Sequence, residues 1–124
     1  MPNLKVTDVL TFVPAKDFEI SKAFYLALGW KQTWGDSHLA VMENANQRFY
    51  LQNYYVREWA ENFMLHVSVE DAESWKQHVT KLMSEKEFSG VRVDGPKQEE
   101  YGALVTYVWD PSGVLIHFAQ WTDD

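Results

Sequence analysis

The stretch that decides the fold of this chain covers residues 101–120, which read YGALVTYVWDPSGVLIHFAQ. Apolar side chains alternate with others in both halves, and this pattern predicts β-strands over residues 103–109 and 114–120. Between them lies the tetrapeptide DPSG, residues 110–113, in which the proline fixes φ and the glycine closes a turn. The sequence therefore predicts two strands joined by a tight turn at this point of the chain.

A weak internal repeat extends this organisation toward the N-terminus. Four identities fall at a spacing of 54 residues: Asp17 with Asp71, Val13 with Val67, Lys22 with Lys76 and Leu28 with Leu82. In each copy an alternating strand, over residues 8–15 or 62–69, precedes the aspartate. A carboxylate in this position accepts the free N–H groups of a helix's first turn. Each copy is therefore expected to begin with a strand and a capped helix.

Both predicted helices carry apolar residues at a period of 3.6, which is typical of helices that pack on a sheet. The stripes are Ile20, Phe24 and Leu28 in the first helix, and Trp75, Val79 and either Leu82 or Met83 in the second. Gly29 should end the first helix because glycine tolerates a left-handed conformation. Three strands then follow each helix, over residues 30–34, 38–43 and 48–54 in the first copy and 90–93, 103–109 and 114–120 in the second.

These elements predict an α+β fold made of two βαβββ modules. Module one covers about residues 7–56 and module two about residues 62–121, joined by a polar and aromatic linker over residues 56–61. A chain of 124 residues can bury one core but not two independent ones, so we expect residues 1–124 to form a single domain.

Composition excludes several classes of function. The chain has no cysteine, which rules out disulfides, thiolate catalysis and cysteine-based zinc sites. A formal net charge of −7 argues against nucleic acid as a partner. It is compatible with a cationic ligand, although acidity can equally serve only solubility. No apolar run approaches membrane-helix length and the first residues do not read as a signal peptide, so we expect no membrane partner and a cytoplasmic location.

The aromatic content is unusual for so short a chain. Aromatic residues make up 15% of the sequence, with six Trp, six Tyr and seven Phe. Tryptophan and tyrosine combine a large apolar surface with a polar group, and they are enriched at binding surfaces and interfaces. We expect several of them to line a ligand cavity or a subunit interface, while Phe24, Trp30 and Phe118 are expected in the core.

Two segments carry a resemblance to a known superfamily. Residues 13–17, VPAKD, lead into AFY at 23–25 and LGW at 28–30, and YG at 101–102 is followed by WDPSGVLIHF at 109–118. With these motifs the chain resembles the vicinal oxygen chelate (VOC) superfamily, which includes glyoxalase I, extradiol dioxygenases, fosfomycin-resistance enzymes and bleomycin-resistance proteins. The resemblance covers nearly the whole chain. It implies two modules whose mixed sheets curl around a cavity, often within a homodimer.

Within this superfamily the pattern is most similar to bleomycin-resistance proteins. They are small and acidic, they bind a cationic glycopeptide in grooves at the dimer interface, and they carry out no chemistry. The resemblance therefore implies a homodimeric antibiotic-resistance protein that sequesters an aromatic or cationic small molecule.

Metal-dependent members of the superfamily take histidine and carboxylate ligands from the first and last strands of each module. By the resemblance, the first-strand positions fall on Leu10 and Met64, and a last-strand position falls on His117. Leucine has no donor atom and a thioether suits only soft metals. We therefore expect no cofactor and no metal site. A divalent metal held by His66 and His117 is the alternative, although two imidazoles without a third ligand make a poor site.

Strand alternation assigns the walls of the expected cavity, because alternate residues point to the same face. With the geometry that the resemblance implies, the walls are Leu10, Phe12, Met64, His66, Leu115 and His117. The aromatic candidates around them are Trp34, Tyr50, Tyr54, Tyr55, Trp59, Tyr101, Tyr107 and Trp109. Tyr101 matches the aromatic residue of the family's YG motif, a ligand-stacking position. The predicted ligand-binding set is Leu10, Phe12, Trp34, Tyr50, Met64, His66, Tyr101, Tyr107 and His117.

Three functions stay open at this point. The first is a metal-free binding protein for an aromatic or cationic small molecule. The second is a glyoxalase-like lyase, isomerase or dioxygenase, with or without a metal, that uses His66 and His117. The third is an interaction module whose aromatic residues form only a dimer contact. His38 and His78 are expected at the surface without a functional role.

Overall fold

The computed structural model describes residues 2–85 and 88–122 and contains two copies of one arrangement. The first module consists of β1 (Phe12–Pro14), α1 (Phe18–Leu28), β2 (Lys31–Gly35), β3 (Leu39–Asn44) and β4 (Gln47–Gln52). A short helix, α2 (Arg57–Asn62), leads to the second module, which consists of β5 (Met64–Ser68), α3 (Ala72–Ser84), β6 (Arg92–Glu99), β7 (Ala103–Trp109) and β8 (Leu115–Trp121).

Each module forms a four-stranded mixed sheet with the same topology. The strand orders are β1-β4-β3-β2 and β5-β8-β7-β6. The first strand of each sheet lies parallel to the last strand, and the other neighbours are antiparallel. The predicted α+β fold with two βαβββ modules is confirmed. Among the described residues, no helix has both the length and the apolar character needed to cross a membrane.

The helix caps explain why both modules start alike. The carboxylate of Asp17 accepts the backbone N–H of Ile20 at 3.1 Å, and that of Asp71 accepts the N–H groups of Glu73 and Ser74. Helix α1 ends at Gly29, whose φ of 113° lies in the left-handed region that favours glycine. Both capping aspartates and the glycine stop are as predicted.

Several boundaries differ from the prediction. Strand β1 has three residues instead of eight, because its sheet neighbour β4 pairs with residues 12–14 only. Strand β6 runs to Glu99 and passes Gly95 and Pro96 with a register shift, which the sequence pattern did not indicate. The linker at residues 56–61 contains α2. In α1, Ile20 is exposed and Phe18 and Ser21 are buried instead, whereas in α3 Leu82 rather than Met83 completes the stripe.

One hydrophobic core joins the two modules. It takes the helix-covered faces of both sheets, with Val13 and Leu51 from the first and Ile116 and Phe118 from the second. The ring of Trp75 stacks on Phe118 with centroids 4.3 Å apart. Phe24, Trp30 and Phe118 are buried, as predicted. This core uses one face of each sheet. The opposite face, which we call the open face, lies outside the core, and on the second sheet it carries a small separate cluster of Ala103, Val105 and Ala119 with Tyr107 packed against it.

A buried polar network ties the DPSG turn of the second module to helix α1 of the first. The hydroxyl of Tyr25 donates to the Asp110 carboxylate at 2.7 Å, and Ser21 and Ser112 face each other at 3.2 Å. Asp110 also accepts the N–H groups of Ser112 and Val114. Burial raises the pKa of Asp110 to about 6, although its hydrogen bonds, with that from Tyr25 foremost, act in the opposite direction. The network therefore places a titratable carboxyl inside the contact between the modules.

Candidate functional site

The open face of the first sheet carries a row of apolar side chains. Phe12, Tyr50, Val41 and Trp34 are cross-strand partners over β1, β4, β3 and β2, and we call them the aromatic row. Phe12 and Tyr50 stack with centroids 4.8 Å apart and planes at 26°. Phe12 is 44% exposed and Trp34 is 52% exposed. An in-register row of this kind offers a flat apolar surface to a planar molecule.

The open face of the second sheet carries a polar row at the same level. His66, His117, Tyr107 and Asp94 are cross-strand partners over β5, β8, β7 and β6, and we call them the imidazole row. The rings of His66 and His117 lie 6.1 Å apart, and the Tyr107 ring meets His117 edge-on at 4.9 Å. Each open face therefore carries a row of four cross-strand partners. The row is apolar on the first sheet and mainly polar on the second.

The environment of the imidazole row keeps His117 neutral. Burial lowers the pKa of His117, the neighbouring His66 lowers it further, and the Glu99 carboxylate acts in the opposite direction. The hydroxyl of Tyr107 donates to the Glu99 carboxylate. Burial and the hydrogen bond to Glu99 raise the pKa of Tyr107. At neutral pH His117 and Tyr107 therefore present uncharged rings beside Glu99.

Six of the nine predicted ligand-binding residues belong to the two rows, three on each sheet: Phe12, Trp34 and Tyr50, and His66, Tyr107 and His117. Met64 is exposed, pairs with Leu115 and stands two residues before His66 on β5. Tyr101 lies between β6 and β7, with its ring 5.9 Å from that of Trp121. Leu10 is half-buried and precedes β1.

Sequence reasoning missed Trp121 as a member of this surface. Trp121 is 51% exposed, its ring centroid lies 5.6 Å from that of His66, and its indole N–H donates to the Ser68 hydroxyl at 3.0 Å. It follows His117 on β8 at the spacing that shares a face, so continuing the strand alternation by one residue finds it. His78 is not a free surface residue, because its Nε2 lies 2.7 Å from the carbonyl oxygen of Ala27.

The predicted walls do not enclose a common cavity in the single chain. Leu10 and Phe12 belong to the first sheet's open side, and Met64, His66, Leu115 and His117 belong to the second's. They are separated because the shared core uses the opposite faces of both sheets. A cleft of about 450 Å³ does lie between the modules, and of the six predicted wall residues His66 alone is on its surface. The cleft is lined by Thr11, Trp30, Gln47, Arg48, Phe49, Leu65, His66, Val67 and Ser68.

The residues at the superfamily's metal positions do not fit a hard or borderline divalent cation. Leu10 supplies no donor, and Met64 supplies only a thioether that lies beside the apolar Leu115. His66 and His117 are neighbours, but within residues 2–85 and 88–122 no third histidine or carboxylate completes a ligand group with them. Zinc sites in proteins use three or four protein ligands, and magnesium prefers oxygen ligands to imidazole, so the chemistry of this donor set does not support either metal.

Comparison with known proteins places the fold. No protein-family model and no curated sequence matches the chain. Solved structures do match: a bleomycin-binding protein complexed with bleomycin is 19% identical with a TM-score of 0.76 and covers 93% of this chain and 98% of its own. A lactoylglutathione lyase from Agrobacterium tumefaciens is 14% identical with a TM-score of 0.69, over 94% of this chain and 95% of its own.

A third solved structure is the fosfomycin resistance protein FosX from Listeria monocytogenes, complexed with Mn(II) and sulfate. It is 10% identical with a TM-score of 0.74 and covers 96% of this chain and 93% of its own. The three proteins share the fold of the vicinal oxygen chelate superfamily, and this chain has the same fold. Because binding proteins and enzymes both use it, the fold leaves the activity to be argued from the site.

Proposed function

We propose that this protein binds a planar aromatic small molecule on the open faces of its sheets and holds it without chemistry. The observation that carries the proposal is the pair of in-register rows, which lie outside the shared core and in which Phe12 and Trp34 are exposed to solvent. Exposed contiguous aromatic surface on a small protein marks an interaction site. The bleomycin-binding protein that shares the fold supports a ligand of the antibiotic class.

The charge of the protein favours a cationic ligand. The formal net charge is −7, and the imidazole row ends at Asp94 and has the Glu99 carboxylate bound to Tyr107 beside it. A field of one sign raises the local concentration of ions of the opposite sign. Aromatic faces add cation–π attraction of about 0.5–2 kcal/mol per contact. An aromatic cation fits both the negative charge and the aromatic surface, and we expect the protein to bind it in the cytoplasm.

We further infer that two copies of the chain close the site as a homodimer. Leu4, Val6 and Val9 are exposed apolar residues on the segment before β1. Strands β1 and β5 each have one sheet neighbour, so each leaves one edge unpaired. A second copy would cover these features and convert two open faces into the walls of a groove. Sedimentation equilibrium tests the dimer independently of any ligand.

Isothermal titration with a bleomycin-type glycopeptide and with simpler aromatic cations tests the binding proposal. We expect saturable binding that is weakened by Phe12→Ala and by Trp34→Ala. Tyr54→Ala is a matched control, because Tyr54 is similarly exposed but belongs to neither row. Absence of binding across the panel, or equal loss in the control variant, would contradict the proposal.

A second candidate, a metal-free glyoxalase-like lyase or isomerase, has one observation in its favour. His117 is neutral and its Nε2 atom has no hydrogen-bond partner in the protein, as a general base requires. Turnover of a hemithioacetal substrate by chelator-treated protein, lost in His117→Ala, would establish this activity. No turnover with intact ligand binding would leave sequestration as the function.

A further inference from the structure

The Nε2 atom of His117 is the feature that the fold leaves unexplained. Among the described side chains it is the one nitrogen or oxygen that is buried from solvent and has no hydrogen-bond partner. A buried polar atom without a partner costs free energy and calls for an explanation. Its position in the middle of the imidazole row connects it with the open face of the second sheet.

The polar groups around His117 are committed to other partners. The Tyr107 hydroxyl on β7 donates to the Glu99 carboxylate on β6, and the Ser68 hydroxyl on β5 accepts the indole N–H of Trp121. The ring of His66 lies beside that of His117, with centroids 6.1 Å apart, and makes no hydrogen bond to Nε2. Among the described groups none therefore satisfies this nitrogen. A ligand donor can do so if it enters beside the ring and displaces the side chains that cover the nitrogen.

The surroundings select the kind of atom that would bind. A neutral imidazole has one protonated nitrogen and one that accepts a hydrogen bond, and we assign the acceptor to Nε2. Glu99 beside the row and the net charge of −7 disfavour an anionic ligand that brings only acceptors. The exposed rings of Trp121 and Tyr101, with His66, offer flat walls for an aromatic ring. A donor on the edge of a planar ring satisfies both requirements.

We propose that His117 Nε2 is the hydrogen-bond acceptor that selects planar aromatic ligands carrying an N–H or O–H donor on the ring edge, with the ring held against Trp121. This inference rests on the proposed function and specifies the ligand class for the second sheet. His117 is here a ligand-binding residue that distinguishes donor-bearing rings from otherwise identical rings.

Indole and benzofuran test the inference because they are nearly isosteric and differ in the ring N–H. Titration of 15N-labelled protein, followed by NMR of the Trp121 indole and the imidazole nitrogens, gives the affinity and location of each probe. We expect indole to bind about fivefold to tenfold more tightly than benzofuran, the range of one hydrogen bond to a buried acceptor. The imidazole resonance of His117 should shift with indole and not with benzofuran.

Variants of His117 sharpen the test. His117→Phe should reduce the affinity for indole to that for benzofuran and leave benzofuran binding unchanged. His117→Gln, whose amide oxygen accepts a hydrogen bond, should restore part of the preference. His38→Gln is the control, because His38 is an exposed residue outside both rows. The amide spectrum of each variant shows whether its fold is intact.

The outcomes separate this inference from the function on which it rests. Equal affinity of the two probes, with both shifting the Trp121 signal, would overturn the inference and leave the proposed function standing. A preference for indole that persists in His117→Phe would overturn it in the same way. If neither probe perturbs the second sheet's open face while the glycopeptide panel also fails to bind, both the inference and the proposed function are wrong.

Discussion

The aromatic row and the imidazole row occupy equivalent places in the two modules and differ in chemistry. Phe12 and His66 are related by the 54-residue repeat, and each is the first-strand member of a four-residue row. In the first module Tyr50 is the neighbour of Phe12 and stacks on it. In the second module His117 is the neighbour of His66, and the Nε2 atom of His117 has no hydrogen-bond partner. The backbone repeat thus fixes where side chains stand, while the residue type at each place decides whether a module offers apolar contact or a directed hydrogen bond.

The largest expected effect concerns the core that both modules share. Phe118→Ala removes a fully buried ring that stacks on Trp75, and such truncations cost about 3–5 kcal/mol. Because the core joins both modules, urea unfolding followed by tryptophan fluorescence and by circular dichroism should show one transition for both signals. Two separate transitions, with the first module unaffected, would show that the rows stand on independent modules.

The next effect concerns the carboxyl between the modules. The pKa of Asp110 is about 6 in the folded protein and 3.8 as the ordinary value, so the folded state binds the proton more tightly. Stability from this group therefore increases as the pH falls from 7 to 5, by about 1 kcal/mol. The difference in unfolding free energy between the wild type and Asp110→Asn should change by that amount over this range. A difference that is independent of pH would contradict the assignment.

The two rows and the elements that position them also show how much of the structure the sequence predicts. The capping aspartates, Gly29 and the DPSG turn act through local backbone geometry, so their pattern alone predicts the two modules. Strand alternation likewise predicts the members of both rows, because it needs only the strand direction. Local patterns do not indicate which faces of two sheets share a core. The residues predicted to line one cavity therefore lie on two separate open faces.

Other differences have local causes that the pattern did not carry. Helix α2 begins after Val56, which has no capping side chain, so its start has no sequence signal. Strand β6 accommodates Gly95 and Pro96 by a register shift opposite β7, although these residue types usually interrupt a strand. The Nε2 atom of His117 has no partner because the hydroxyl groups of Tyr107 and Ser68 bond to Glu99 and Trp121. These hydrogen bonds form only in the assembled sheet.

The aromatic row can be separated from the imidazole row by paired truncations. Phe12→Ala should weaken binding of an aromatic cation about tenfold, because it removes a stacked ring, with stability changed by less than about 0.5 kcal/mol at this exposed site. His66→Ala removes a ring that is tilted against its neighbours and not stacked on them, and it should weaken binding about threefold. Calorimetric titration of both variants and of the double variant measures the contribution of each row. Equal effects would remove the distinction between the rows.

The smallest expected effect is a pH dependence confined to the imidazole row. The pKa of His117 lies below its ordinary value of 6.5, and His66, Glu99, Tyr107 and Asp94 are the titratable groups nearest to it in the sheet. Protonation of His117 below its lowered pKa occupies the acceptor nitrogen, so indole affinity should fall as the pH decreases below 6.5 while benzofuran affinity stays constant. NMR titrations over a descending pH series measure this, and a parallel loss for both probes would assign the effect to another group.

We propose above that the two open sheet faces form the ligand site. The six tryptophans provide a direct measurement, because each contributes one indole N–H signal to the spectrum of 15N-labelled protein. Titration with a bleomycin-type glycopeptide should perturb the signals of Trp34 and Trp121, which lie on the open faces, and leave that of Trp75 in the core unchanged. Perturbation confined to Trp30, which lines the cleft between the modules, would contradict the claim and place the site there.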